Sequence, residues 1–269
     1  MTIEVLPGME MSALDWWDDI AERLRETSPV IFLDYDGTLT PISNVPSQPV
    51  LTDSMRGTLR RLAKKCPVVL VSGREIEDIK RRVGLDELVY MASGGFEVIG
   101  PYGHYVERSA EEFVPSLDRA EKELRYSIGE IRGALVERRR FAVAVHHRLV
   151  DERTMPWLEE IFDRVARKNP RLRAVKSKRA FELKPNADWD RGRAVGLVIS
   201  TLRLRNAMPV YIGDDNADEE AFKAIGEHGV TIMVTEDARE TAAQYVLADE
   251  LEVQQFLEQV IEVLEERAP

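Results

Sequence analysis

Asp34 and Asp36 stand at the close of an apolar run, Val30-Ile31-Phe32-Leu33, with Tyr35 between them and Gly37 and Thr38 after. A run of that kind reads as a buried parallel strand. Both carboxylates then lie at or just past a strand's carboxyl end, where open α/β sheets build their sites. A second acidic cluster, Gly213-Asp214-Asp215-Asn216-Ala217-Asp218-Glu219, follows another apolar strand, Val210-Tyr211-Ile212. Together they suit a magnesium-dependent phosphoryl-transfer site with an aspartate nucleophile.

Phosphate esters are kinetically inert, and hydrolysis needs a nucleophile, charge neutralisation and a proton for the departing alkoxide. Asp34 is ionised at neutral pH and needs no activation, but its approach to an anionic phosphate requires a cation. Asp214 and Asp34 can hold Mg²⁺ jointly, since hard oxygen ligands suit that ion and the His and Cys ligands of zinc are missing here. Asp36 is placed to act as general acid, and afterwards as base toward water. Ser72-Gly73-Arg74 closes a further apolar strand and opens a helix, a ready anion site of N–H groups and a hydroxyl. Thr38 offers the same pair of donors, and Lys184 and Arg191 are the candidates for a fixed positive charge on phosphate.

The elements that must carry these residues alternate. An amphipathic helix over 12–27 leads into the first strand, and Thr52 caps a second helix reaching about Lys65. A strand at 67–71, a helix through Ile76, Ile79 and Val83, and a strand near 88–92 follow. After about Gly103 the pattern changes. Leu117, Ala120, Leu124, Ile128, Ile131 and Leu135 recur at helical spacing and predict one long helix, then Phe141 to Leu149 a strand, 151–167 a helix, and 172–175 and 180–183 strands. Alternation resumes at about Arg191 and continues to a final amphipathic helix. The fold class expected is α/β, a Rossmann-like doubly wound parallel sheet with an inserted α+β unit. Residues 1–103 and 182–269 would form the discontinuous core, and 104–181 the insertion.

Composition sets the outer limits. Net charge of −11 argues against nucleic acid as a partner. Residues 104–181 carry 18 Lys and Arg against 13 Asp and Glu, or +5, and the remainder 19 against 35, or −16. A basic segment inside an acidic chain is suited to meeting an anion. The single cysteine, Cys66, fits a reducing cytoplasm. The absence of an export signal and of an apolar run of membrane length predicts no membrane association and excludes an ion pump.

Asp34-x-Asp36-Gly37-Thr38, Ser72-Gly73-Arg74 and Gly213-Asp214-Asp215-x-x-Asp218, in that order, resemble the motifs of the haloacid dehalogenase superfamily. The resemblance implies Asp34 as nucleophile, Asp36 as acid/base and main-chain metal ligand, Ser72 on phosphate and Asp214 on Mg²⁺. It also implies Asp215 and Asp218 as supports of the metal shell. The chain between Asp36 and the next helix is too short for a lid, so the insertion is identified as a C2-type cap. Phe141 through Arg148 looks like the cap strand of trehalose-6-phosphate phosphatases. Phe181-Glu182-Leu183-Lys184-Pro185 and Asp188-Trp189-Asp190-Arg191-Gly192 are similar to further segments of that family. Arg191 stands where the superfamily usually places its phosphate-binding lysine. It is the favoured occupant of that role, with Lys184 the alternative.

The resemblance implies a phosphatase of trehalose 6-phosphate that works through a phosphoaspartyl intermediate, with a sugar-phosphate synthase as a candidate partner. His146, Arg148, Glu182, Glu97 and Lys178 are the expected sugar contacts, His146 and Arg148 sharing one strand face by alternation. Glu97 belongs to Ser93-Gly94-Gly95-Phe96-Glu97, where many relatives have His-Gly in place of Gly94-Gly95. The rival readings are the same chemistry on sucrose, glucosylglycerol or mannosylglycerate phosphate, and a catalytically silent sugar-phosphate sensor.

Overall fold

The computed structural model describes residues 11–41, 50–101, 103–176, 180–237 and 239–267. Two compact units are present, Met1–His104 with Asp190–Pro269, and Tyr105–Trp189. The first opens with α1 (Trp17–Glu26), β1 (Ser28–Asp34), α2 (Asp53–Leu62), β2 (Val68–Val71), α3 (Ile76–Val83), β3 (Val89–Ala92), β4 (Glu97–Gly100) and the start of β5 (Gly103–Val106), whose last two residues belong to the second unit. The second holds α4 (Arg108–Glu111), α5 (Val114–Ile128), β6 (Leu135–Arg139), β7 (Ala142–His146), α6 (Met155–Lys168), β8 (Leu172–Lys176) and β9 (Ala180–Pro185). The first resumes with α7 (Arg191–Leu202), β10 (Ala207–Gly213), α8 (Glu219–Ile225), β11 (Val230–Val234), β12 (Tyr245–Leu247) and α9 (Glu250–Glu266).

The large sheet runs β12-β11-β10-β1-β2-β3-β4-β5. Its strands from β12 to β3 are parallel, and β4 turns back against β3. From β1 the chain builds outward to β2 and β3 on one side, then returns to place β10 on the other. The strand order reverses at β1, which makes the carboxyl ends of β1 and β10 a topological switch point. Ile31, Phe32 and Leu33 have no exposed surface. Each such side chain contributes about 1.5–3 kcal/mol by leaving water, so the strand carrying the first carboxylates is firmly held.

Local chemistry agrees with these boundaries. Thr52 Oγ1 accepts a hydrogen bond from the Met55 N–H at 3.1 Å and starts α2, which stops at Leu62. Asp249 caps α9 through the N–H groups of Leu251 and Glu252. Trp17 meets Phe256 of α9 edge to face at 5.5 Å, so the N-terminal helix is part of the core packing. Ahead of α1, Ala13 and Val246 are joined by a 2.9 Å backbone bond that covers the free edge of β12.

The second unit is a four-stranded antiparallel sheet, β6-β7-β9-β8, with a hydrophobic cluster on one face drawn from α5, α6 and the strands. One expectation fails here. The periodic run through Leu135 is not one helix, because α5 ends at Ile128 and Leu135–Arg139 is strand β6. Gly133 lies between them at φ +90°, and a Cβ there would sit 2.0 Å from the Leu149 carbonyl oxygen. Apolar spacing alone does not register that break. Gly133→Ala is expected to lower the stability of this unit by about 2–5 kcal/mol, combining left-handed strain with overpacking. Urea unfolding checks this, and a loss under about 0.5 kcal/mol, the ordinary range for a surface substitution, would refute it.

A carboxylate and arginine site at the carboxyl ends of β1 and β10

Parallel register brings the site together. Leu33 is paired with Ile212 of β10 and Asp34 with Val71 of β2, so Asp34, Ser72 and Asp214 share one sheet edge. Oxygens of Asp34, Asp214 and Asp218 lie within 4.8 Å of one another, and all three residues are buried. Arg191 is the first residue of α7, whose cap is Asp190, the side chain of which accepts from the Arg193 N–H at 2.8 Å. Its Nη1 lies 3.1 Å from Asp34 Oδ1 and also donates to Asp218 Oδ1. Lys184 belongs to the second unit, where its Nζ pairs with Glu182 at 2.7 Å. Within the first unit, Arg191 is thus a cation beside Asp34.

Asp218 is fully buried and its two oxygens receive four donors. Oδ1 accepts from Arg191 and from the Tyr211 hydroxyl at 2.7 Å, and Oδ2 accepts from the N–H groups of Asp214 at 3.1 Å and Asp215 at 3.0 Å. A carboxylate so engaged has little lone-pair capacity left for a metal. It shapes the turn that presents Asp214. Gly213 is required in that turn, since a Cβ would fall 2.4 Å from Asp218 Cγ. Burial opposes the Arg191 charge, but Asp218, Tyr211, Asp34 and Asp215 outweigh it and hold its pKa well above the ordinary value. Burial, with Asp218 beside it, likewise raises Tyr211 far above a free phenol, so its hydroxyl stays a donor.

This donor set is all oxygen and fits a hard divalent ion such as Mg²⁺. Asp34 and Asp214 are the residues suited to hold it. Thr38 follows Asp34 by four residues, is fully buried, and among the described residues its hydroxyl has no hydrogen-bond partner. A buried hydroxyl in that state is suited to an incoming polar ligand. Ser72 Oγ accepts from the Arg74 N–H at 3.1 Å. Gly73 sits between them in this loop. The Arg74 guanidinium is engaged by Asp36 at 2.8 and 2.6 Å and by Asp78 at 3.1 Å.

The remaining expected residues are distributed differently. Glu97 is buried in the first unit and its Oε1 lies 2.9 Å from His104 Nε2. β7 ends at His146, so Arg148 falls in the following turn and not on the strand face with it. The strand stops because the chain turns there, with Val150 N–H donating to the His147 carbonyl. Lys178 lies outside the described residues. On the sheet face of the second unit opposite its helices, Glu182 meets Arg139 at 3.1 Å, Arg139 meets Glu137 at 2.8 Å, and Glu137 meets His146 at 2.6 Å. Burial pushes Glu137 up, but hydrogen bonds from His146 and Arg139 prevail and hold it well below the usual carboxylate range. Glu137 and Arg139 are absent from the expected contacts because helical spacing runs into β6. No apolar alternation marks them, since Glu137, Arg138 and Arg139 follow Val136 as three charged residues in succession.

The chain is similar to known proteins. The family model described as Trehalose-phosphatase matches residues 32–251. The probable trehalose-phosphate phosphatase 3 of Oryza sativa subsp. japonica is 36% identical, the alignment covering 94% of this chain and 74% of that protein. Trehalose-phosphate phosphatase B of Arabidopsis thaliana is also 36% identical, over 93% of this chain and 71% of that one. Among solved structures, a trehalose-6-phosphate phosphatase related protein superposes with a TM-score of 0.77 at 26% identity, covering 89% of this chain and all of that one. The C-terminal domain of the C. albicans trehalose-6-phosphate phosphatase shares the fold at a TM-score of 0.80 and 19% identity, over 91% and 96% of the two chains. A match that spans the aspartate motifs of both strand ends, at this identity and coverage, places the chain in the trehalose-phosphatase family.

Proposed function

We propose that this protein is a Mg²⁺-dependent phosphatase that hydrolyses trehalose 6-phosphate to trehalose and inorganic phosphate. The observation that carries the reading is Asp34 at the end of β1, buried beside Asp214 and 3.1 Å from Arg191. The names of the relatives support the substrate.

In the proposed reaction, Asp34 attacks phosphorus and the bond from phosphorus to the sugar oxygen breaks. Asp36 gives its proton to that oxygen, which leaves as the alcohol of trehalose. A phosphoaspartyl group then sits on Asp34. Water attacks its phosphorus, Asp36 takes back a proton, and the acyl phosphate bond breaks to return Asp34 and free phosphate. Arg191 and the donors of Thr38, Ser72 and Gly73 hold the phosphoryl oxygens. When bound by Asp34, Asp214 and the Asp36 carbonyl, Mg²⁺ supplies charge neutralisation at phosphorus. Asp215 and Asp218 support that shell.

The second unit is proposed as the cap. Its polar sheet face, with His146, Glu182, Glu137 and Arg139, offers donors and acceptors of the kind a disaccharide needs. Arg148, Lys178 and Glu97 are proposed as further sugar contacts. A cytoplasmic location is part of the reading and is supported by the free, buried thiol of Cys66, whose pKa burial pushes up to about 12. A synthase that makes the sugar phosphate is the candidate partner.

Phosphate release from trehalose 6-phosphate, measured beside sucrose, glucosylglycerol and mannosylglycerate phosphates with Mg²⁺ and with chelator, tests the proposal. The expected result is strong preference for trehalose 6-phosphate, lost with chelator. Preference for another ester would overturn the substrate. Binding of trehalose 6-phosphate without release would replace the enzyme by a sensor.

A further inference from the structure

We propose that Arg74 is the positioning residue of the acid/base carboxylate Asp36, and that Asp78 and Arg82 hold Arg74 for that task. The inference rests on the phosphatase reading and adds to it a residue that acts through Asp36.

The geometry is a four-member ladder. Arg74 Nε donates to Asp36 Oδ2 at 2.8 Å and Nη2 donates to Oδ1 at 2.6 Å, the parallel pair of a guanidinium facing a carboxylate. The third nitrogen, Nη1, donates to Asp78 Oδ2 at 3.1 Å, and that same oxygen accepts from Arg82 Nε at 2.9 Å. Asp78 and Arg82 lie one helical turn apart on α3, so the helix itself aligns them. The Arg74 side chain is only 11% exposed, and its Cζ lies 5.9 Å from the centre of the Tyr35 ring.

The backbone of Arg74 is fixed as well. Its N–H donates to Ser72 Oγ, and its carbonyl accepts from Ser93 N–H at 2.8 Å. Ser93 has φ +53°, a left-handed conformation that a non-glycine residue rarely adopts. Such strain persists where neighbouring structure over-determines it, and here it delivers the N–H that pins Arg74.

Asp36 needs this help. It stands beyond the end of β1 and ahead of Gly37, whose φ of +97° starts a tight turn. A group that must give a proton to the sugar oxygen and then take one from water has to return to one place in both steps. Such placement comes from supporting contacts on rigid elements. The planar fork sets the plane of the Asp36 carboxyl, which a lysine ammonium cannot do. When one oxygen turns to carry the proton, the other keeps the carboxyl hinged on Arg74. The fork edge of Arg74 faces Asp36, which is the edge an arginine would use to bind phosphate.

Leaving-group dependence tests the assignment. Trehalose leaves as an alkoxide that must be protonated, whereas p-nitrophenolate leaves without a proton. Arg74→Gln, in the full chain, is expected to slow the phosphorylation burst on trehalose 6-phosphate about 100-fold while the burst on p-nitrophenyl phosphate stays within about threefold. Arg74→Lys should recover only part of the loss. Asp36→Asn should show the same selectivity, and the double variant should be no slower than Asp36→Asn alone. Equal losses on both substrates would overturn the proposal in favour of phosphate binding or a folding defect. An unchanged burst, or additive effects with Asp36→Asn, would overturn it too. If the wild type prefers another sugar phosphate, that ester replaces trehalose 6-phosphate in the comparison. A wild type that releases phosphate from no ester would overturn the phosphatase reading itself, and this assignment with it.

Discussion

Asp34→Asn is expected to abolish phosphate release, with kcat falling by at least about 10⁴-fold. The amide has almost the shape of the carboxylate but cannot attack phosphorus as an anion. Folding should survive, because Asp34 is buried beside two other carboxylates, so losing its charge relieves part of that repulsion while Arg191 keeps its bond to Asp218. The thermal midpoint is therefore expected to hold or rise while turnover is lost. Phosphate release and a thermal scan on the same preparation separate the two effects. Retention of a tenth of wild-type turnover would remove Asp34 from the nucleophile role, and loss of activity together with a collapsed midpoint would show a folding defect.

Arg191→Met is expected to destabilise the first unit by about 3–5 kcal/mol, the scale on which breaking a buried ion pair leaves uncompensated charge. The Arg191 side chain is 8% exposed, that of Asp34 6% and that of Asp218 fully buried. Methionine fills the volume and leaves both carboxylates without that cation. Phosphate release should fall with it, since the same guanidinium faces the nucleophile. Arg191→Lys restores the charge and should recover most of the stability, since a single nitrogen of Arg191, Nη1, faces both Asp34 and Asp218. Denaturant unfolding of the three proteins decides the matter. A Met variant within about 1 kcal/mol of wild type would show that the pair adds no more than an exposed one.

Much of the site can be read from local sequence. Val30-Ile31-Phe32-Leu33 and Val210-Tyr211-Ile212 are apolar throughout because both faces of a central parallel strand are buried, and each run ends on the carboxylates that the sheet edge presents. The second unit is harder to read. A three-to-four residue spacing of apolar groups continues from α5 through Ile131 to Leu135, across Gly129 and Gly133, and periodicity carries no signal for a turn. Strand β6 and its Glu137 and Arg139 are hidden by that continuity. Arg148 shows the same limit at a strand's end, where alternation assigns a face to a residue that lies in the turn beyond.

The sequence by itself determined which groups occur, their order, and which of them end strands, because apolar patterning and turn residues are local properties. Only the tertiary structure decided who faces whom. Arg191 and Lys184 are close in sequence and equal in formal charge, yet one lies against Asp34 in the first unit and the other pairs with Glu182 in the second. The place of Arg74 after β2 suits an anion ligand, and its fork instead faces Asp36 across the sheet edge. Asp218 sits among acids that resemble a metal cluster, and its four donors come from a turn, a helix and a strand. A charged group's role depends on its partners within a few ångströms, and packing between distant segments sets those partners.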